Sequence, residues 1–194
     1  MKFNAQRFWK IMGIFAVLDL LALMCGCSTA WTQEASNIIA LLVPAIQSAL
    51  AILAAFGLGI SPSVLTAVNK WATDAESGLA QVKSLIEQYN AAEATAQPGI
   101  LTEIQTLLGV ISSNLAAILP TIQVTDPSTQ AKILAVIEAI SSEISALLNL
   151  VPAIQGQVTS TEELKALMGA LKSPKQFKEA YNKAAGVFGE SYQI

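Results

Sequence analysis

The sequence predicts an all-α protein: a helical bundle of about five to six helices, kinked or ended at prolines and joined along heptad-like apolar seams. Three observations carry that expectation. Apolar residues recur at helical spacing along most of the chain, capping side chains stand directly before prolines at several points, and strand-like alternation is nearly absent. Apolar residues make up 53% of the chain and charged ones 13%, so polar positions fall mainly to Ser, Thr, Gln and Asn.

The chain opens with "MKFNAQRFWK", whose charges are Lys2, Arg7 and Lys10. An apolar run follows over Ile11–Gly26, broken by Asp19. A basic start, a short apolar stretch and small residues after it have the form of an export signal rather than a folded element. The run is shorter than the roughly 20 residues of a spanning helix, and Asp19 adds to the cost of crossing. It ends in "MCGC". This resembles the lipobox of bacterial lipoprotein signal peptides, where a small residue precedes the cysteine that is lipidated and becomes the new N-terminus. The resemblance covers residues 1–28; it makes Met24, Cys25 and Gly26 the cleavage-site neighbours and Cys27 the point of lipid attachment. It implies export, N-terminal acylation and anchorage in the bacterial cell envelope. Ser28 does not resemble the aspartate that retains some such proteins at the inner membrane, which favours the outer membrane.

On the residues alone, a Cys25–Cys27 bridge would close a very tight ring. A metal site would need further soft or nitrogen ligands, and the chain has no histidine and no third cysteine. No metal and no cofactor is expected.

The first helix is drawn near 33–58. No charge falls between Glu34 and Lys70, and Asn37–Ile60 is long enough to span a membrane. Ala40, Pro44, Gln47, Ala51 and Ala55 form a small-residue face, and Ile39, Leu42, Ile46, Leu50 and Leu53 a bulky one. A small face lets another helix approach closely in water or in lipid. The segment is read as the central buried helix, with lipid contact as the alternative. The second helix, near 62–95, starts at Ser61-Pro62 and carries the seam Leu79, Val82, Ile86, Tyr89. The third, near 99–119, carries Ile100, Ile104, Leu107, Ile111, Leu115 and Ile118, and Thr121–Thr125 reads as a connection. The fourth, near 127–157, starts at Asp126-Pro127. Its seam of Ile133, Ile137, Ile140, Ile144, Leu147 and Val151 leaves Glu138, Ser142, Glu143 and Ser145 on other faces. Ser160 and Glu163 form a capping-box pattern before a helix near 161–171. Ser173-Pro174 opens the last, near 174–187, which sets Phe177, Tyr181 and Phe188 on an apolar side and its lysines in water.

The motif Pro-x-Ile-Gln occurs three times, at Pro44–Gln47, Pro120–Gln123 and Pro152–Gln155. One reading is a repeated bend that presents Gln47, Gln123 and Gln155 together; the preferred one is duplication of a helical hairpin or coincidence in a chain poor in residue types.

Three parts follow: 1–26 as the lipoprotein-type signal peptide, 27–160 as the helical bundle, and 161–194 as lysine-richer amphipathic helices and a tail packing on it. Beyond residue 26 the chain holds thirteen acids, eight lysines and no arginine, a net charge near −5. An acidic, arginine-free surface excludes nucleic acid as a partner class. Without histidine, a glycine-rich phosphate loop or a carboxylate cluster, no catalytic set is present, so the chain is not expected to be an enzyme. The expected function is that of a lipid-anchored, non-enzymatic helical envelope protein acting by binding or self-assembly at a membrane surface. The alternative is a membrane-inserting or pore-like oligomer using residues 37–60 against lipid. Expected partners are membrane lipid through the acylated N-terminus, further copies of the chain, and an envelope protein.

Overall fold

The computed structural model describes the backbone of residues 5–155 and 172–194 and, Ala153 apart, the side chains from Trp31 onward. Five α-helices occur among the described residues: α1 (Ala5–Phe56), α2 (Pro62–Ala91), α3 (Gln97–Ile118), α4 (Pro127–Ile154) and α5 (Pro174–Ala185). Short 3-10 turns cover Leu119–Thr121, Gly186–Phe188 and Glu190–Tyr192, and no strand occurs among the described residues.

Three helices begin at the prolines that follow a capping residue. Ser61 Oγ accepts from the Val64 N–H at 3.4 Å at the start of α2. At the start of α4, Asp126 accepts from the Thr129 N–H at 2.7 Å and its hydroxyl at 2.6 Å, bonds that hold the carboxyl below the usual range. Ser173 and Gln176 form a reciprocal capping box at α5, with bonds of 3.3 and 3.0 Å. The helix expected over 161–171 and the Ser160/Glu163 pattern lie outside the described residues. Between α2 and α3, the Gln97 side chain donates to the carbonyls of Tyr89 and Ala92, satisfying the end of the helix before it.

The first helix is longer than expected: its backbone begins at Ala5, not near 33. No proline precedes Pro44, and an interior glycine such as Gly13 or Gly26 costs about 1 kcal/mol against alanine, too little to stop a long helix. Nor does Pro44 end it, since α1 runs on to Phe56. Proline removes the donor that the Ala40 carbonyl would use, and Ala40 is exposed, where water can replace it. Pro120 stands in the 3-10 turn that ends α3, and Pro152 lies inside α4 near its end.

The four long helices form a closed ring. α1 packs on α2, α2 on α3, α3 on α4, and α4 returns to α1. Individual contacts set the directions. The Trp31 ring meets Tyr89 at 5.3 Å, Trp71 Nε1 donates to the Ile111 carbonyl at 3.1 Å, and Gln155 donates to Thr102 Oγ1 at 3.4 Å. The Thr125 N–H donates to the Leu58 carbonyl at 2.8 Å. Each pairs an early position of one helix with a late one of the next, so every neighbour is antiparallel, the up-down arrangement of four-helix bundles.

The α4 seam of Ile133, Ile137, Ile140, Ile144, Leu147 and Val151 is buried throughout. In α3 the buried line is Leu101, Ile104, Leu108, Ile111 and Leu115, while Ile100, Leu107 and Ile118 sit half-buried on its shoulder. In α1, Ile39, Leu42, Ile46 and Leu53 are buried and Leu50 half-buried, whereas Ala40, Gln47, Ala51 and Ala55 are exposed. The segment 37–60, expected as the central buried helix, is one wall of the ring: it packs on α2, α4 and the C-terminal residues and leaves the side of Ala40, Gln47, Ala51 and Ala55 open.

Where the α1–α2 turn meets the start of α4, the Thr125 N–H and hydroxyl both donate to the Leu58 carbonyl. Gly59 makes this possible, with φ at +94° and Thr125 Oγ1 occupying the space where a Cβ would stand. Gly59→Ala is expected to lower stability by about 1–3 kcal/mol, read from urea unfolding. At Gly78 an added Cβ would meet the Ile111 Cδ1 tip at 2.9 Å, a flexible obstacle. Gly78→Ala should stay within about 1 kcal/mol of wild type, because better helix propensity offsets the crowding.

Candidate functional site: the first helix and its C-terminal clasp

Residues 172–194 fold back over α1 and α4 and hold them together. α5 is amphipathic: Phe177, Tyr181 and Ala185 are buried at helical spacing, while Lys175, Lys178 and Lys183 stay exposed. Lys175 pairs along the helix with Glu179 at 3.9 Å. The Tyr181 hydroxyl is also buried and donates to the Ala45 carbonyl of α1 at 2.9 Å, while burial pushes its phenol up. Ser48, one turn later, donates its hydroxyl to the Tyr192 carbonyl. Phe56 closes the far end against Phe188 at 5.0 Å and Tyr192 at 5.9 Å. Asn182 clamps the terminus itself, accepting from the Ile194 N–H at 2.8 Å and donating to its carbonyl at 3.1 Å.

The clasp begins at a buried charge. Glu143, expected to face outward, has 0% exposure. One carboxylate oxygen accepts the Lys172 backbone N–H at 3.0 Å; the other has no hydrogen bond among the described residues and lies 3.7 Å from Lys172 Nζ. Burial raises its pKa above the ordinary carboxyl value, and the lysine charge and N–H pull the other way without cancelling it. The face of α4 that looks polar in sequence is covered by the chain entering α5, which no periodicity within α4 could reveal.

At the other end of the bundle, Trp31 is 4% exposed and packs edge-on against Tyr89 in the last turn of α2. Its Nε1–H meets no acceptor among the described residues. Cys25, Gly26, Cys27 and Met24 belong to the α1 backbone just before it; their side chains lie outside those described.

The Pro-x-Ile-Gln copies do not converge. Gln47 is exposed midway along the bundle part of α1, Gln123 is exposed beyond the end of α3, and Gln155 is bonded to Thr102 near the start of α3. About 30 Å of helix separates Thr102 from Gln123. Within one chain the three glutamines are not brought together. Among the described residues no three acidic or cysteine side chains gather as a metal site requires. Comparison with protein-family models, with curated proteins and with solved structures finds no match.

Two expectations follow for the clasp. Because Glu143 is more easily protonated when folded, it contributes stability that is complete below the unfolded carboxyl pKa and lost as pH rises through the raised folded value. Thermal melts across acidic to neutral pH should show this fall in wild type and a flatter profile in Glu143→Gln. Tyr181→Phe should cost about 1 kcal/mol, the worth of one buried neutral hydrogen bond, read from the urea midpoint.

Proposed function

We propose that this chain is an exported, non-enzymatic helical protein of the bacterial cell envelope, held to the membrane by lipid at Cys27 and acting by binding or self-assembly at that surface. The outer membrane is its favoured location. The observation that carries this reading is the chemistry of the bundle's outer side. Three stretches, Trp31–Phe56, Gln97–Thr121 and Pro127–Pro152, are long and apolar enough to cross a membrane. Yet the exposed positions of α3 hold Thr102, Glu103, Thr106 and Asn114, and those of α4 hold Lys132, Glu138, Ser142 and Asn149. α2 adds Lys70, Asp74, Lys83 and Glu87. Facing hydrocarbon, such groups would be costly, whereas most of the bulky residues that make these helices apolar are buried or half-buried, Val110 being an exposed exception. A water-facing bundle with a separate tether is the arrangement these faces suit, and the lipobox-like Met24–Cys27 stretch supplies the tether.

One observation favours a second reading, insertion of Trp31–Phe56 into lipid. The exposed side of α1 has no charge after Glu34 and is made of alanines with Asn37 and Gln47.

The intact mass of protein taken from membranes tests the first reading. The wild type should lack residues 1–26 and carry acyl mass, and Cys27→Ala should lose both features. A full-length unacylated wild type would overturn the tether. The chain from Ser28 onward should be helical and stable in buffer without detergent, as circular dichroism and sedimentation would record. A requirement for detergent would instead support insertion.

A further inference from the structure

We infer that the end of the bundle farther from position 27 is a self-association surface: a second copy of this chain docks on Leu58, Val187 and the aromatic rings beside them. The inference rests on the tethered, self-assembling reading above and names the surface through which copies would meet. Among the described residues, three large aliphatic side chains stand more than half exposed: Leu58 at 75%, Val187 at 57% and Val110 at 52%. Val110 is isolated on α3, with exposed Thr106 and Ser113 about a turn to either side. Leu58 and Val187 are not isolated. Leu58 follows Phe56 by two residues, Val187 adjoins Phe188, and the Phe56 ring meets Phe188 at 5.0 Å and Tyr192 at 5.9 Å. All three rings are only half-buried, so they join the two aliphatic side chains in one apolar surface. A contiguous surface of this kind marks an interaction site, whereas a single exposed valine does not.

Charge selects the occupant. Val187 is flanked by Lys183, four residues before it, and by Glu190, three residues after it. Both are exposed, and no ion pair joins them among the described residues. Opposite charges on either side of an apolar centre make a self-complementary patch. A two-fold pairing about Val187 sets Lys183 of each copy against Glu190 of the other. Lipid fits this end less well. Asp126 and Glu190 are exposed here and oppose an anionic headgroup layer. The continuous α1 also carries Phe56 about 43 Å along its axis from position 27, away from the tethering bilayer.

Sedimentation equilibrium of the full gene product, purified from membranes in density-matched dodecyl maltoside, tests the surface. Wild type should show a concentration-dependent dimer that weakens at high salt. Leu58→Ser with Val187→Ser should weaken that dimer about tenfold, while Val110→Ser, an exposed valine outside the patch, should leave it unchanged. Lys183→Glu and Glu190→Lys should each weaken it about threefold, and the two together should restore it. Circular dichroism of each variant reports folding, which substitutions at these exposed positions should leave intact. A dimer indifferent to Leu58→Ser with Val187→Ser, or one that the paired charge variant does not restore, would overturn the inference. A wild type that stays monomeric at every concentration would overturn it too. Slower hydrogen exchange of that monomer at residues 57–60 and 186–192 in phosphatidylcholine nanodiscs would then give the patch to lipid, and unchanged exchange would give it to a different protein. The intact mass of the same samples reports cleavage and acylation separately, so failure of the tether and failure of the pairing are distinguishable.

Discussion

The inward face of α1 is the surface on which the other elements depend. Ile38, Leu42, Ala45, Ile46, Ala49 and Ile52 are buried there, with α2 on one flank, α4 on the other and the C-terminal clasp across them. Burying each large aliphatic side chain contributes about 1.5–3 kcal/mol, so this one face brings together the apolar sides of three further helices. Ala45 and Ala49 matter by being small. They leave room for α5 to approach closely enough that Tyr181 reaches the Ala45 carbonyl, while Phe177 and Tyr181 fill the space that larger residues on α1 would have taken.

Polar contacts then decide how the ring is closed. At one end the Leu58 carbonyl accepts both donors of Thr125, joining the α1–α2 turn to the start of α4. On the side covered by the clasp, Glu143 is removed from water and compensated by one backbone N–H and one partly exposed lysine. Desolvation is the larger effect, so the carboxylate does not strengthen the fold at neutral pH as a well-matched ion pair would; it fixes where Lys172, and with it α5, must enter. The short bond lines from Ser48 and Asn182 to the last residues give the tail a defined path rather than a loose end.

A single helix also ties the proposed tether to the bundle. Position 27 and Trp31 lie on α1 with no break between them. Under the tethered reading, the direction of α1 therefore sets which end of the bundle approaches the membrane: the end that carries Trp31, Tyr89 and the α2–α3 turn. Under the same reading the Leu58–Thr125 end, with its exposed Leu58, is the end farther from the tether.

Much of this architecture is legible in the residues because it is local. Ser61-Pro62, Asp126-Pro127 and Ser173-Pro174 start helices through bonds spanning three residues, and the α4 isoleucines recur at a spacing that any helix imposes on its own. The division of α1 into a bulky and a small side is equally local, and the burial of the first and exposure of the second follow it. α1 runs through the polar stretch around Thr29–Glu34, which has the look of a boundary in sequence, because helix continues wherever nothing breaks it. What only the tertiary structure decided are relations between distant residues. Glu143 is buried by a segment 29 positions away, Ser48 meets a carbonyl 144 positions away, and α3 turns Leu101 and Leu108 inward over Ile100 and Leu107. A helix repeat determines which residues share a face; which face is covered depends on the neighbours that pack there, and the repeat holds no record of them.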